Sequence, residues 1–412
     1  MESGEIGRKD AAATETAAGG HCGAGTNGMD GEAWQGLVEA VERPASILEG
    51  PVAGDVEGLA EALSANGLFP LAYHAWQGAG VLPKLPEDQR ALLRDRYVRY
   101  LAGWMAAWEE TGRILDVWLA AGLTPILLKG ADLAVRYYAE PHLRPMSDLD
   151  VLFPSTAECE RAYDLLTQQG FRTHESLPQE PWALLQHLPA LSAPVTGWAV
   201  EIHGALLLSP RDSRWTGGGV RLIEERRSYS WQGRRVEGLA PEALAVFLCG
   251  HMWFQHAGDE PRAMVLYDLK AILDREGSAF RWPLLLELAE AAGVTGAVGR
   301  GFGLLDALLG VAPEPVVRKE IQARGREAEL ALSPGGAAVE QLVGRLRHEG
   351  LGAAVRTAWR IAFPPFGYMR WRYRDKRKWP VGALYPYRWA GQAARIVRWA
   401  MERARLAAGG RR

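Results

Sequence analysis

KGADLAVRYYAEPHLRPMSDLDVLF, residues 129–153, decides the reading of this chain. It runs from a Lys-Gly turn through a short helix to an Asp-x-Asp pair on an expected strand. Asp148 and Asp150 are two residues apart, so on a strand both carboxylates leave from one face. Like charges held that close repel each other. The pair is tolerable where it meets water or holds a cation, and hard divalent cations such as Mg²⁺ take oxygen ligands of this kind.

The flanking segments give the pair a setting. Residues 125–128 are a short apolar run, expected as a buried strand, and 131–139 form a short helix. Strand character resumes at 148–153. Ser155-Thr156-Ala157-Glu158 has the form of a capping box, and Gly170 closes the helix it opens. Residues 171–175 read as another strand. Residues 198–206, WAVEIHGAL, read as a further one, with Glu201 and His203 on one face. Residues 123–236 therefore read as a compact α/β domain.

Upstream, Leu92, Leu93, Tyr97, Leu101, Trp104, Trp108, Ile114, Leu115 and Trp118 recur at helical spacing, which predicts one long helix over 89–121. Gly122 supplies its stop. From Pro241 the patterns are helical again, through about Arg347. The expected organisation is a disordered tail at 1–30, a helical region at 31–122, the α/β domain at 123–236, a helical domain at 237–365 and a basic, aromatic segment at 366–412. The fold class is α+β: an α/β domain framed by N- and C-terminal helical regions. No internal repeat is evident, and Met29 offers an alternative start.

Glu201, flanked by Val200 and Ile202, is a third carboxylate available from a neighbouring strand. It is placed to complete a metal cluster with Asp148 and Asp150, or to act as base toward an acceptor hydroxyl. Two Mg²⁺ (or Mn²⁺) ions held by such a set bind a nucleoside triphosphate, activate an attacking hydroxyl and neutralise the leaving pyrophosphate. Lys129-Gly130 suits a phosphate, because glycine lets backbone approach closely and a helix N-terminus favours anions. Arg144 is placed to pair with the triphosphate, or with Asp148 or Asp150 when metal is absent. Ser147 stands at the strand entrance beside them. His203 shares the face of Glu201 and so lies near the site. His251 and His256 are five apart on a helix and point about 140° away from each other, which argues against a shared metal.

These residues carry a resemblance. The stretch 127–153 followed by AVEIHGAL resembles the uncharacterised nucleotidyltransferase family of the DNA polymerase β-like superfamily. In that superfamily a Gly-containing strand-helix turn precedes a strand with two aspartates, and a later strand supplies a third carboxylate. Here the matching residues are Lys129-Gly130, Asp148 with Asp150, and Glu201. Residues 240–275 resemble the family's helical region, which implies that His251 and Asp268 border the acceptor cleft. One departure from the superfamily is Ala131, which stands where a phosphate-contacting Ser is usual; the family itself tends to have the Lys-Gly-Ala form. The resemblance implies an enzyme that transfers a nucleotidyl group from an NTP, with ATP as the expected donor. The acceptor would be a hydroxyl on a small molecule, peptide or protein. Attack at the terminal phosphorus would make it a kinase with the same carboxylates, and a non-catalytic nucleotide- or nucleic-acid-binding protein is the other alternative.

Composition fits this reading. The 412 residues are 48% hydrophobic and 23% charged, an ordinary globular balance. Cys22, Cys159 and Cys249 are scattered without a CxxC, which excludes a disulfide framework and a zinc ribbon and suggests a reducing compartment. No apolar leader opens the chain, and the longest uncharged apolar run, 243–255, is too short to cross a bilayer. A cytoplasmic enzyme is expected. The net charge of −2 hides an asymmetry: residues 368–412 carry 13 Lys/Arg against Asp375 and Glu402, leaving +11 there and −13 on the rest. YMRWRYRDKRKW, residues 368–379, alternates aromatic with basic side chains. Trp389, Ala393, Ile396, Val397 and Ala400 then form an apolar helical stripe. The favoured expectation is a helix docked on the acidic body, with its Arg residues snorkelling to water. Nucleic acid and a membrane surface are the alternative partners.

Overall fold

The computed structural model describes residues 31–48, 55–173, 187–204, 206, 222–252, 263–311, 313, 317–320, 351–363, 366, 369–370, 373, 376, 378–391, 393, 397 and 401. The expected tail at 1–30, with Cys22 and Met29, lies outside them, as do His256, Ile396, Ala400 and the helical patterns over 321–347.

Four helices come first: α1 (Gly31–Glu42), α2 (Val56–Ala65), α3 (Phe69–Gly78) and α4 (Glu87–Ala120). The α/β part follows with β1 (Ile126–Leu127), α5 (Lys129–Arg136), β2 (Asp148–Leu152), α6 (Thr156–Gln168), β3 (Arg172–Thr173), β4 (Leu191–Ser192), β5 (Ala199–His203), β6 (Arg226–Trp231) and β7 (Arg234–Leu239). Then come α7 (Pro241–Gly250), α8 (Met264–Glu276), α9 (Trp282–Ala292), α10 (Thr295–Leu309) and α11 (Leu351–Ala362). The local stop signals act where expected. Gly122 (φ 75°) ends α4 and Gly170 (φ 88°) follows α6, both in the left-handed region that favours glycine. Ser155 and Glu158 form the reciprocal capping box that opens α6. The helix after β1 differs from expectation: it starts at Lys129 rather than 131, so the Lys-Gly pair forms its first turn.

The seven strands make one mixed sheet in the order β3-β4-β5-β2-β1-β7-β6. β2 lies parallel to β5, with Asp150 opposite Glu201 and Asp148 opposite Ala199. β1 is antiparallel to β2 and parallel to β7. β6 and β7 are a hairpin whose two-residue loop, Gln232-Gly233, has φ of 47° and 79°. That is the type I′ geometry whose twist matches the flanking strands.

Alternation along the strands sends side chains into two cores. Leu149, Val151, Val200, Ile202 and Leu127 pack with Ile114, Leu115 and Trp118 of α4 and with Cys159, Ala162 and Leu166 of α6. Ile126, Leu128, Leu152 and Leu239 enter the other core, which also holds α1–α3 and α7–α10. Helix α4, about 50 Å long, serves both. Leu93 belongs to the large helical core, whereas Ile114, Leu115 and Trp118 belong to the smaller one. Asp148 and Asp150 alternate with Leu149 and Val151, so they share the face of Leu152, toward the larger core. Among the described residues no helix is long and apolar enough to cross a membrane.

Candidate active site

The chain enters α5 through Lys129 in the left-handed region (φ 46°), a conformation a side chain with a Cβ rarely takes. This bend carries Lys129 Nζ to 2.8 Å from Asp150 Oδ1. Gly130 comes next, and a Cβ there would sit 2.8 Å from Met146 Cγ. The first turn of α5 therefore packs tightly on the segment that leads into β2, which gives Gly130 a packing reason of its own. Helix α4 holds that segment from the other side. Tyr100 donates to the carbonyl of His142 at 2.5 Å, and Trp104 Nε1 to that of Arg144 at 3.2 Å.

Arg144 and Asp268, read separately from the sequence, belong to one another. Arg144 forks onto Asp268 through Nε–Oδ1 and NH2–Oδ2 contacts of 2.8 Å each, and Tyr138 donates to Asp268 Oδ1 at 2.8 Å. Asp268 is fully buried. The pair joins α8 to the approach of β2. The Asp268 carboxylate holds the Arg144 guanidinium charged against the cost of burial.

The inner cluster is built by register. Asp150 on β2 and Glu201 on β5 are paired residues, and His203 lies two further along the same face. Asp150 is 2% exposed and His203 1%, while Glu201 keeps a quarter of its side chain open. His203 Nε2 is 2.8 Å from Asp150 Oδ1 and 3.5 Å from Glu201 Oε2. His187 Nε2 stands 3.9 Å from the same Glu201 oxygen, and its ring centroid is 5.3 Å from that of His203. Asp148 is the outer member: it is half-buried and accepts from Ser147 Oγ at 3.0 Å. His251 lies at the end of α7, its ring edge-on to Phe247.

Charge is nearly balanced inside the cluster. Burial opposes ionisation of Asp150, but Lys129 and the His203 hydrogen bond overcome it and hold the carboxyl far below its ordinary range. Glu201 is also held low: burial works against it, and His203 and His187 more than compensate. Burial pushes His203 toward neutrality, yet Asp150 and Glu201 raise it above the ordinary imidazole value. Lys129 is likewise raised, since Asp150 and Asp148 outweigh its burial. Asp148 goes the other way: burial and the Asp150 charge push it up to about 6, with Lys129 pulling against them.

The donor set fits a divalent cation. One ligand atom each from Asp150, Glu201 and His203 lie within 4.8 Å of one another. Carboxylate oxygens suit Mg²⁺ or Mn²⁺, and an imidazole nitrogen adds affinity for softer transition ions. While His203 Nε2 carries a proton it donates to Asp150; once that proton leaves, the same nitrogen is a ligand. The Nδ1 of His203 is buried with no hydrogen-bond partner, a polar atom that the protein leaves unsatisfied at this spot.

The structure thus brings Asp148, Asp150, Glu201, His203, Lys129, Gly130 and Ser147 together, and ties Arg144 to Asp268 beside them. Sequence reasoning missed His187 and Tyr138. His187 reaches the site through an isolated antiparallel bridge to His203. Neither residue lies in a periodic pattern that marks it.

The mixed sheet thus carries two aspartates on one strand, an acid on the adjoining parallel strand and a cationic helix start beside them, an arrangement that fits a nucleotidyltransferase domain. The chain belongs to the family described as uncharacterised nucleotidyltransferase, whose model matches residues 53–310. No curated protein and no solved structure matches it.

Proposed function

We propose that this protein is a metal-dependent nucleotidyltransferase that moves a nucleotidyl group from an NTP, with ATP as the expected donor, to an acceptor hydroxyl. The observation that carries this is the convergence of Asp150, Glu201 and His203 donor atoms within 4.8 Å, next to Asp148 on the same strand face. A divalent cation bound there supplies charge neutralisation for the pyrophosphate and polarises the attacking oxygen.

The protein's own groups have distinct parts. Asp150 is ionised and fixed by Lys129 and His203, so it is the inner ligand. Glu201 is kept ionised by two histidines, which suits a ligand better than a base. Lys129, at the head of α5, offers a positive charge where the helix N-terminus already favours phosphate. Arg144, locked on Asp268, positions the segment that carries Ser147 and Asp148. Its link to α8 couples the carboxylate strand to the helices after residue 240, where the acceptor is expected.

The test uses ATP labelled at the α- or the γ-phosphorus, with Mg²⁺ or Mn²⁺ and host extract. Label entering an acceptor from the α position alone supports the proposal. Transfer of the γ label would make the protein a kinase. Equal labelling by wild type and Asp150→Asn would remove this site from the chemistry.

A further inference from the structure

We propose that the C-terminal part of the chain docks on an anionic lipid surface. Helix α11 exposes Leu351 (69%), Val355 (57%) and Trp359 (63%), spaced by four, so one stripe of the helix faces outward. Phe363 and Phe366 continue the apolar surface beyond its end, at 42% and 68%. The rings are joined to one another. Trp359 and Phe363 lie 4.3 Å apart, Phe363 meets Trp389 at 5.2 Å, and Trp389 Nε1 donates to the Ala362 carbonyl at 2.6 Å. Single exposed apolar residues are ordinary on a protein surface, but a contiguous patch of this kind marks an interaction site.

Charge selects the occupant. Residues 368–412 carry a net +11. Lys376 lies over the ring of Tyr387 at 4.8 Å, and Arg370 donates to the Trp379 carbonyl at 2.9 Å, so cations are set among the aromatic rings. An aliphatic and aromatic stripe beside clustered Lys/Arg is the composition of a helix that lies in a headgroup interface, with Trp and Tyr at headgroup depth. Clustered basic residues add attraction to anionic lipid. A second copy meeting this face through the same segment is disfavoured, since two +11 segments repel. Nucleic acid would use the cations but leaves Leu351 and Val355 without a partner. Trp389 and Val397 of the apolar stripe are 37% and 56% exposed, and Met401 just beyond it is 52% exposed. The contact proposed is peripheral; among the described residues no helix is long and apolar enough to cross a bilayer.

The test is co-sedimentation of the full chain with vesicles. One set is phosphatidylcholine alone and the other contains phosphatidylglycerol at roughly one lipid in three. Binding to the anionic vesicles only, weakened in about 0.5 M salt, is expected. The triple variant Leu351→Ser, Val355→Ser, Trp359→Ser should lose about tenfold or more in partitioning with unchanged circular dichroism. A second variant, Arg370→Gln with Lys376→Gln and Lys378→Gln, leaves the stripe intact. It should weaken binding to anionic vesicles and keeps the test decisive if the triple variant misfolds. The proposal is overturned if the wild type ignores anionic vesicles or if both variants bind them as the wild type does. Self-association or nucleic-acid binding that needs the stripe, without lipid binding, overturns it equally.

Discussion

Asp148 and Asp150 are chemically identical and leave the same strand face, yet the fold treats them oppositely. Asp150 sits between Lys129 and His203 and stays ionised; Asp148, pushed by burial and then by the Asp150 charge, rises to about 6. A carboxyl whose folded pKa exceeds its unfolded value of about 3.9 costs stability once the pH passes that unfolded value. The cost grows between about pH 4 and 6 and is constant above. Asp148→Asn should therefore raise the melting temperature at pH 7 in EDTA, by roughly 1–2 kcal/mol of stability after allowance for solvent screening. The gain should shrink to about a few tenths of a kcal/mol near pH 4, where Asp148 is protonated in the folded state and about half ionised in the unfolded one. Melts of both proteins from pH 4 to 8 check this, and a pH-independent difference would contradict it. Lys129 yields a second prediction. Its ammonium group already occupies the Asp150 oxygen that the cation would use. Lys129→Met should bind Mn²⁺ about tenfold more tightly in calorimetric titration. Unaltered affinity would mean that the cation does not meet Asp150.

At the scale of elements, α5 carries the site at its start and a buried ion pair beyond it. Asp132 is fully buried and bonds Arg136 NH1 at 2.9 and 3.1 Å, while the same NH1 donates to the Leu239 carbonyl at 2.8 Å. The helix lies so close to β7 that a Cβ on Gly238 would land on Asp132 Oδ1 and reach 2.8 Å from Arg136 NH1. Gly238→Ala should destabilise by about 2–3 kcal/mol in urea unfolding and loosen Lys129 at the other end of α5. An unchanged midpoint would show that the helix can shift at little cost. What could be read beforehand follows the same scale. The capping box, the glycine stops, the long α4 and the shared face of Glu201 and His203 rest on contacts within a few residues or on simple periodicity, and the sequence displays both. The Arg144–Asp268 fork spans 124 residues and the Lys129–Asp150 pair 21. No local pattern announces such partners. The hairpin at 226–239 had a short signal, Gln232-Gly233, but glutamine is an uncommon residue for the left-handed first position.

At the scale of the molecule, the segments read as an N-terminal helical region, an α/β domain and a C-terminal helical domain share one core. Trp34, Leu37 and Val38 of α1 pack in the same cluster as Ile126 and Leu152 of the sheet and Phe247 and Phe302 of the later helices. The family match begins at residue 53, after α1. A fragment covering 53–310 would keep every proposed catalytic residue and still lack that helix. It would uncover the face that Trp34, Leu37, Val38 and Val41 fill, and it would strip buried Trp76 Nε1 of its acceptor, the Ala40 carbonyl at 2.8 Å. Losing several large buried side chains together with one buried hydrogen bond should cost at least about 4 kcal/mol relative to 31–310. The comparison is by urea unfolding of the two fragments, followed by tryptophan fluorescence. Equal midpoints would mean that α1 is an appendage and that the family's matched region is a complete folding unit. A large loss, with Mn²⁺ binding retained in whatever fraction stays folded, would separate the two duties of the chain. The site would belong to β2, β5 and α5, and part of its rigidity to α1.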